Sequence, residues 1–191
     1  MNTRYMKKMI SMALLIMAMT MPATAQQNTP AAVIDSTDVD ALYAQNLLKP
    51  GEKAPNFSLP DYQGKKYNLY QDTKTYKVIE FWASWCPDCR RDLPKMNEIV
   101  NTYRTPHFYG ISFDTNSAAW QKCYSETFKG GNIVELCELK KWKESQVSKD
   151  YHISWLPTYY ILTPDNKVEF ATVSIDKLAQ KLEELKSKMN E

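Results

Sequence analysis

The chain's 191 residues carry 24 basic and 22 acidic side chains, so no strongly basic surface marks it for nucleic acid. Its length suits one domain that buries its own core, which excludes a disulfide-dependent miniprotein and makes the four cysteines informative.

Arg4, Lys7 and Lys8 precede an apolar run over 9–21 and then Ala23-Thr-Ala25, the small-x-small pattern of a signal-peptidase site. A cleaved secretory signal over 1–25 is expected. The alternative, an uncleaved membrane anchor, is weakened because the run is shorter than the roughly 20 apolar residues that span a bilayer. Without those three cations, 21 basic groups stand against 22 acidic ones, a nearly neutral mature chain. Residues 26–49 are polar with scattered alanine and threonine and read as a flexible linker. The domain is expected over 50–191.

Within it, 61–66 supplies turn chemistry between two short extended pieces, an N-terminal hairpin. The β-branched and aromatic run over 76–82 predicts a strand. Leu93, Met96, Val100 and Tyr103 recur at helical spacing over 87–103, with Pro94 expected to kink that helix. A strand over 107–113 follows, then a helix from 117 to about 129 stopped by Gly130-Gly131. A short strand is expected over 133–136 and a helix over 142–151. The runs 158–162 and 167–172 flank a turn and predict an antiparallel hairpin. Asp176 opens a last amphipathic helix with Leu178, Leu182 and Leu185 on one face. The alternation implies an α/β fold, a central mixed β-sheet flanked by helices on both faces.

Cys86 and Cys89 fall where the strand over 76–82 gives way to the helix, with Pro87 suited to that helix's first turn. A thiol at a helix N-terminus meets unpaired backbone N–H groups and the positive end of the dipole, and both favour the nucleophilic thiolate. Cys89, three positions on, shares a face with Cys86 and can close a disulfide. Asp88 acts in the opposite sense, since a nearby carboxylate disfavours a second negative charge. A structural staple and half of a zinc site are the competing readings. The first gains little entropy from so short a loop. For the second, Cys123, Cys137, His107 and His152 form no second closely spaced pair. Glu80 is an acid between Val78, Ile79, Phe81 and Trp82 in a strand expected to be central, where burial should raise its pKa; an exposed strand face is the alternative.

Glu80-Phe-Trp-Ala-Ser-Trp-Cys-Pro-Asp-Cys89, Pro94 and the downstream Trp155-Leu-Pro-Thr158 together resemble the thioredoxin superfamily. The signal, the Ala54-Pro-Asn-Phe-Ser-Leu59 opening and the central insertion resemble its extracytoplasmic TlpA/ResA-like branch of thiol-disulfide oxidoreductases. The resemblance covers roughly residues 50–190. It implies a thioredoxin-like fold and a periplasmic enzyme that reduces protein disulfides without a cofactor or metal. Cys86 would be the attacking cysteine and Cys89 the resolving one. Glu80 would be the acid behind Cys89, and Pro157 the cis-proline facing the pair. Trp85, Pro87, Trp155 and Leu156 would shape the substrate surface. A membrane-embedded electron donor would regenerate the dithiol. Cys123 and Cys137 are expected to form a structural disulfide closing a loop of about 15 residues; free thiols and a second redox pair are the alternatives. An oxidant or isomerase would use the same groups, and a noncatalytic binding module would keep only the fold. A peroxiredoxin-like peroxidase would want threonine where Ala83 stands.

Overall fold

The computed structural model describes residues 38–129 and 132–189, so the signal expected over 1–25 and the glycine stop at 130–131 lie outside the described residues. The strand β3 (Lys77–Trp82) is buried at all six positions, as its apolar, β-branched run requires of a central strand. It pairs in parallel with β4 (His107–Ser112), which pairs in parallel with β5 (Ile133–Cys137). On its other side β3 pairs antiparallel with β6 (Thr158–Leu162), which forms a hairpin with β7 (Val168–Thr172). The five-stranded sheet therefore has the order β5-β4-β3-β6-β7 and is mixed.

Side chains alternate across this sheet and feed two cores. On one face Val78, Phe108, Tyr159 and Ile161 pack with Met96 and Ile99 of helix α2 (Pro87–Thr102) and with Leu178, Leu182 and Leu185 of a C-terminal helix (Ile175–Met189). Each of those leucines is at most 2% exposed, a burial worth roughly 1.5–3 kcal/mol apiece. Ile79, Phe81, Tyr109, Ile111 and Tyr160 enter the opposite core with Phe57, Leu59 and Tyr151. There β1 (Ser58–Pro60) and β2 (Lys66–Asn68) form the N-terminal hairpin expected from the turn at 61–66. Helix α2 continues through Pro94.

Two expectations differ from the structure. The helix over 142–151 resolves into a 3-10 turn, Trp142–Glu144, and a short helix, Gln146–Asp150. Ser145 separates them: its backbone is extended and its buried hydroxyl donates to Glu138 Oε2 at 2.9 Å, a local bond that competes with helix continuation.

The linker expected over 26–49 is ordered against the domain from residue 38 onward. Asp38 caps helix α1 (Val39–Tyr43) by accepting the Asp40 N–H at 3.0 Å. The Asp40 carboxylate accepts from Thr172 Oγ1 and Val173 N, each at 2.8 Å, and Lys177 Nζ pairs with both Asp38 and Asp40. Tyr43 stacks on Trp155 with ring centroids 3.8 Å apart, and Leu47 is 2% exposed. Polar composition concealed this segment because its partners lie more than a hundred residues away. Asp40→Ala should lower the unfolding free energy by about 2 kcal/mol, through loss of hydrogen bonds to a charged acceptor. Urea denaturation reads this directly; an unchanged midpoint would mean that the clamp contributes nothing.

Candidate active site

Cys86 ends the loop that follows β3 and serves as the N-cap of α2, with extended backbone and its Sγ accepting the Cys89 N–H at 3.2 Å. Pro87 occupies the first helical turn, where its missing N–H costs nothing. The preceding Ser84 is fixed by Asp114, whose carboxylate accepts its N–H at 2.8 Å and its hydroxyl at 2.6 Å. Cys86 and Cys89 are joined by a disulfide with Cα atoms 5.3 Å apart. The sixteen-residue helix behind them supplies the unpaired N–H groups and dipole that favour a thiolate on Cys86 once the bond is reduced.

The two sulfurs are not equivalent. Cys86 borders a cavity of about 630 Å³ lined by Trp85, Trp142, Ile153, Trp155 and Leu156, whereas Cys89 is wholly buried. Cys86 Sγ lies 3.6 Å from the Leu156 carbonyl, and the Leu156–Pro157 peptide is cis. Trp85 stands 53% exposed at the rim. Pro157 lines a neighbouring cavity of about 370 Å³ with Asp88, Arg91 and Asp92. Asp88 is held by Arg91, whose Nη1 lies 2.6 Å from Oδ1.

Three acids, Glu80, Asp92 and Glu135, are buried. Glu80 is 0% exposed and neither carboxyl oxygen has a hydrogen-bond partner. Burial, reinforced by Glu135 and Asp92, pushes its pKa well above the ordinary carboxyl value. Cys89 and Asp92 sit on the buried face of α2, one turn apart. Asp92 accepts from Tyr159 OH at 3.4 Å, and burial raises its pKa despite the adjacent Arg91. Glu135, on β5, is pushed up to about 7 by burial, while indole hydrogen bonds from Trp120 and Trp82 act in the opposite direction. Such an arrangement can offer one sulfur to a partner and keep the other dry.

A model of the AhpC/TSA family matches residues 50–171, more than half of the chain. The chain belongs to that family. It is 30% identical over 126 residues to the thiol-disulfide oxidoreductase ResA of Bacillus anthracis, covering 63% of this chain and 68% of that one. It is 28% identical over 140 residues to the thioredoxin-like protein YneN of Bacillus subtilis, covering 71% and 80%. Among solved structures, a thiol-disulfide oxidoreductase from Bacteroides fragilis is 29% identical with a TM-score of 0.60, covering 70% of this chain and 99% of that one. The thioredoxin domain of a thiol-disulfide oxidoreductase from Bacteroides vulgatus is 25% identical with a TM-score of 0.63, covering 72% and 98%.

This AhpC/TSA-family protein is thus a thioredoxin-like thiol-disulfide oxidoreductase whose CxxC pair is Cys86 and Cys89. Its fold brings Trp85, Pro87, Trp155 and Leu156 to one cavity with Cys86. The disulfide expected between Cys123 and Cys137 is not formed, and both are free thiols. Cys137 Sγ instead contacts Asp114 O and Leu139 N, each at 3.3 Å. Cys123 lies on α3 (Ser117–Thr127), and Cys137 ends β5. Burial raises the pKa of both thiols, which lowers their reactivity.

Sequence reasoning overlooked three acids. Asp92 could have been found as the residue one helical turn beyond Cys89. Glu135 repeats the signal that singled out Glu80, an acid between Val134 and Leu136 in a strand. Asp114 carries no such signal, because its partners Ser84 and Ser112 define it only in three dimensions.

Proposed function

We propose that this oxidoreductase works outside the cytoplasm as a reductant of protein disulfides. The observation that carries the reading is the asymmetry of the pair: Cys86 borders an aromatic-walled cavity and Cys89 is sealed beneath it. In the reduced enzyme, Cys86 thiolate attacks one sulfur of a substrate disulfide lying along the Trp155 to Thr158 loop. The substrate S–S bond breaks, one substrate thiolate leaves, and a mixed disulfide joins Cys86 to the other sulfur. Glu80 carboxylate takes the proton of Cys89. The resulting thiolate attacks Cys86 Sγ and expels the second substrate thiolate. The substrate has gained two electrons, and the enzyme holds the Cys86–Cys89 bond.

A donor of reducing equivalents, embedded in the membrane, completes the cycle. Export is supported by the signal pattern over 1–25. Among the described residues no helix is long and apolar enough to cross a membrane, and no cluster of three or more His, Cys, Asp or Glu side chains is placed to hold a metal ion. Insulin reduction driven by dithiothreitol tests the reading. The wild-type enzyme should accelerate insulin precipitation and Cys86→Ser should not; equal rates for the two would reduce the protein to a noncatalytic binding module.

A further inference from the structure

Glu80, Gly110 and Glu135 form one register row across β3, β4 and β5. In-register residues of a sheet project from the same face, so the two glutamates flank a glycine that has no side chain. The space above Gly110 is filled by Glu135: a Cβ built on Gly110 would lie 2.1 Å from Glu135 Oε1 and 2.5 Å from its Cδ. The Glu135 carboxyl therefore lies flat across β4 and points toward β3. Its reach is confirmed on the far side, because Oε2 accepts from Trp82 Nε1 at 3.1 Å, and Trp82 is two residues beyond Glu80 on β3. Trp120 of α3 closes over it, with Nε1 at 3.4 Å from the same oxygen. The remaining oxygen, Oε1, has no partner, and neither does either oxygen of Glu80.

Buried carboxyl oxygens without donors are costly, and a structural role would have been better served by an apolar side chain. Among the described residues, no cation acts on either carboxyl. The titratable groups acting on the pair are Asp92 on α2 and Asp114, two residues past β4. Tyr159 on β6 responds to the charge of Glu80, and Cys123, Tyr124 and Cys137 to that of Glu135. Two carboxyls so placed do not both ionise near neutrality, so ionising one holds the proton on the other.

We propose that Glu80 and Glu135 work as a coupled carboxyl pair carrying a single negative charge, with Glu135 the positioning residue that sets the pH at which Glu80 can take the proton of Cys89. This rests on the reading of Glu80 as the proton acceptor. The balance is simple. In the reacting form the pair's one proton sits on Glu135 and Glu80 is ionised; Glu80 gains the Cys89 proton as the mixed disulfide resolves and returns it when the dithiol is regenerated. Glycine at 110 is the condition for it, since any side chain there displaces the Glu135 carboxyl.

The test is the pH profile of mixed-disulfide resolution in the full chain, followed from about pH 5 to pH 9 in the wild type, Glu135→Gln, Glu80→Gln and the double variant. Glutamine keeps an acceptor for both indoles, so tryptophan fluorescence should be unchanged. Removing the like charge should move the acid limb of the profile to lower pH by about one unit. Glu135→Gln should add nothing once Glu80 is replaced. Gly110→Ala, which displaces the carboxyl without removing it, should move the limb in the same direction.

An unmoved limb in Glu135→Gln, or the same shift in the Glu80→Gln background, would overturn the proposal. A Glu80→Gln profile identical to wild type would instead overturn the reading on which it rests. Infrared titration of the wild-type protein keeps the proposal exposed even if a variant fails to fold. The buried carboxyl band should be lost in two separated steps, and a single step contradicts coupling.

Discussion

Cys89→Ser should turn the enzyme into a trap that stops after one half-reaction. Cys86 borders the cavity and Cys89 is 0% exposed, so only Cys86 meets an incoming disulfide. The helix N-terminus activates the same sulfur, because Cys86 caps α2 and sits against its unpaired N–H groups. With serine at 89 no internal thiol remains to attack the mixed disulfide. Turnover should fall to the dithiothreitol background while a covalent adduct with substrate accumulates. Mass spectrometry of the adduct should place the bond on Cys86, and Cys86→Ser should give none. A bond recovered on Cys89 in a Cys86→Ser protein would reverse the assignment of roles.

Glu80→Gln should slow resolution by on the order of 10²-fold near neutral pH, the usual worth of a positioned proton acceptor. Formation of the mixed disulfide should be spared, because that step uses a thiolate already stabilised at the helix terminus. The same substitution has a stability signature of defined sign. Burial holds the native carboxyl well above its ordinary value of 4.5, so the native state binds the proton more tightly than the unfolded chain. The associated stability is fully present below the ordinary value and is lost as pH rises through the native pKa. Glutamine cannot ionise, so Glu80→Gln should melt above the wild type on the alkaline side, with the difference closing toward acid pH. A variant that melts below the wild type at alkaline pH, with unchanged resolution kinetics, would assign Glu80 a packing role alone.

What the sequence disclosed follows from how local the signals are. Strand, loop, Cys86, Pro87 and α2 are contiguous, and each carries its own chemical reason, so the redox pair and its helix were legible. Glu80 was legible because a charge among Val78, Ile79, Phe81 and Trp82 violates burial rules by itself. Glu135 violates the same rule in a shorter run, and its relation to Glu80 depends on a register across β4 that no local pattern encodes. The segment bearing Asp40 and Tyr43 is polar because its polar groups are satisfied by Thr172, Val173 and Lys177. Spacing also misled at Cys123 and Cys137: a suitable loop length does not by itself bring two sulfurs together, and both thiols are free.

The direction of electron flow is the central claim, and the equilibrium reduction potential of the Cys86–Cys89 pair tests it most directly. Equilibration of the full chain with defined thiol-disulfide buffers, read by alkylation of the free thiols, gives the value. A reductant should lie toward the thioredoxin end of the scale, about −270 mV. A value near the strongly oxidising end, about −120 mV, would contradict a reductant and make the same site a donor of disulfides.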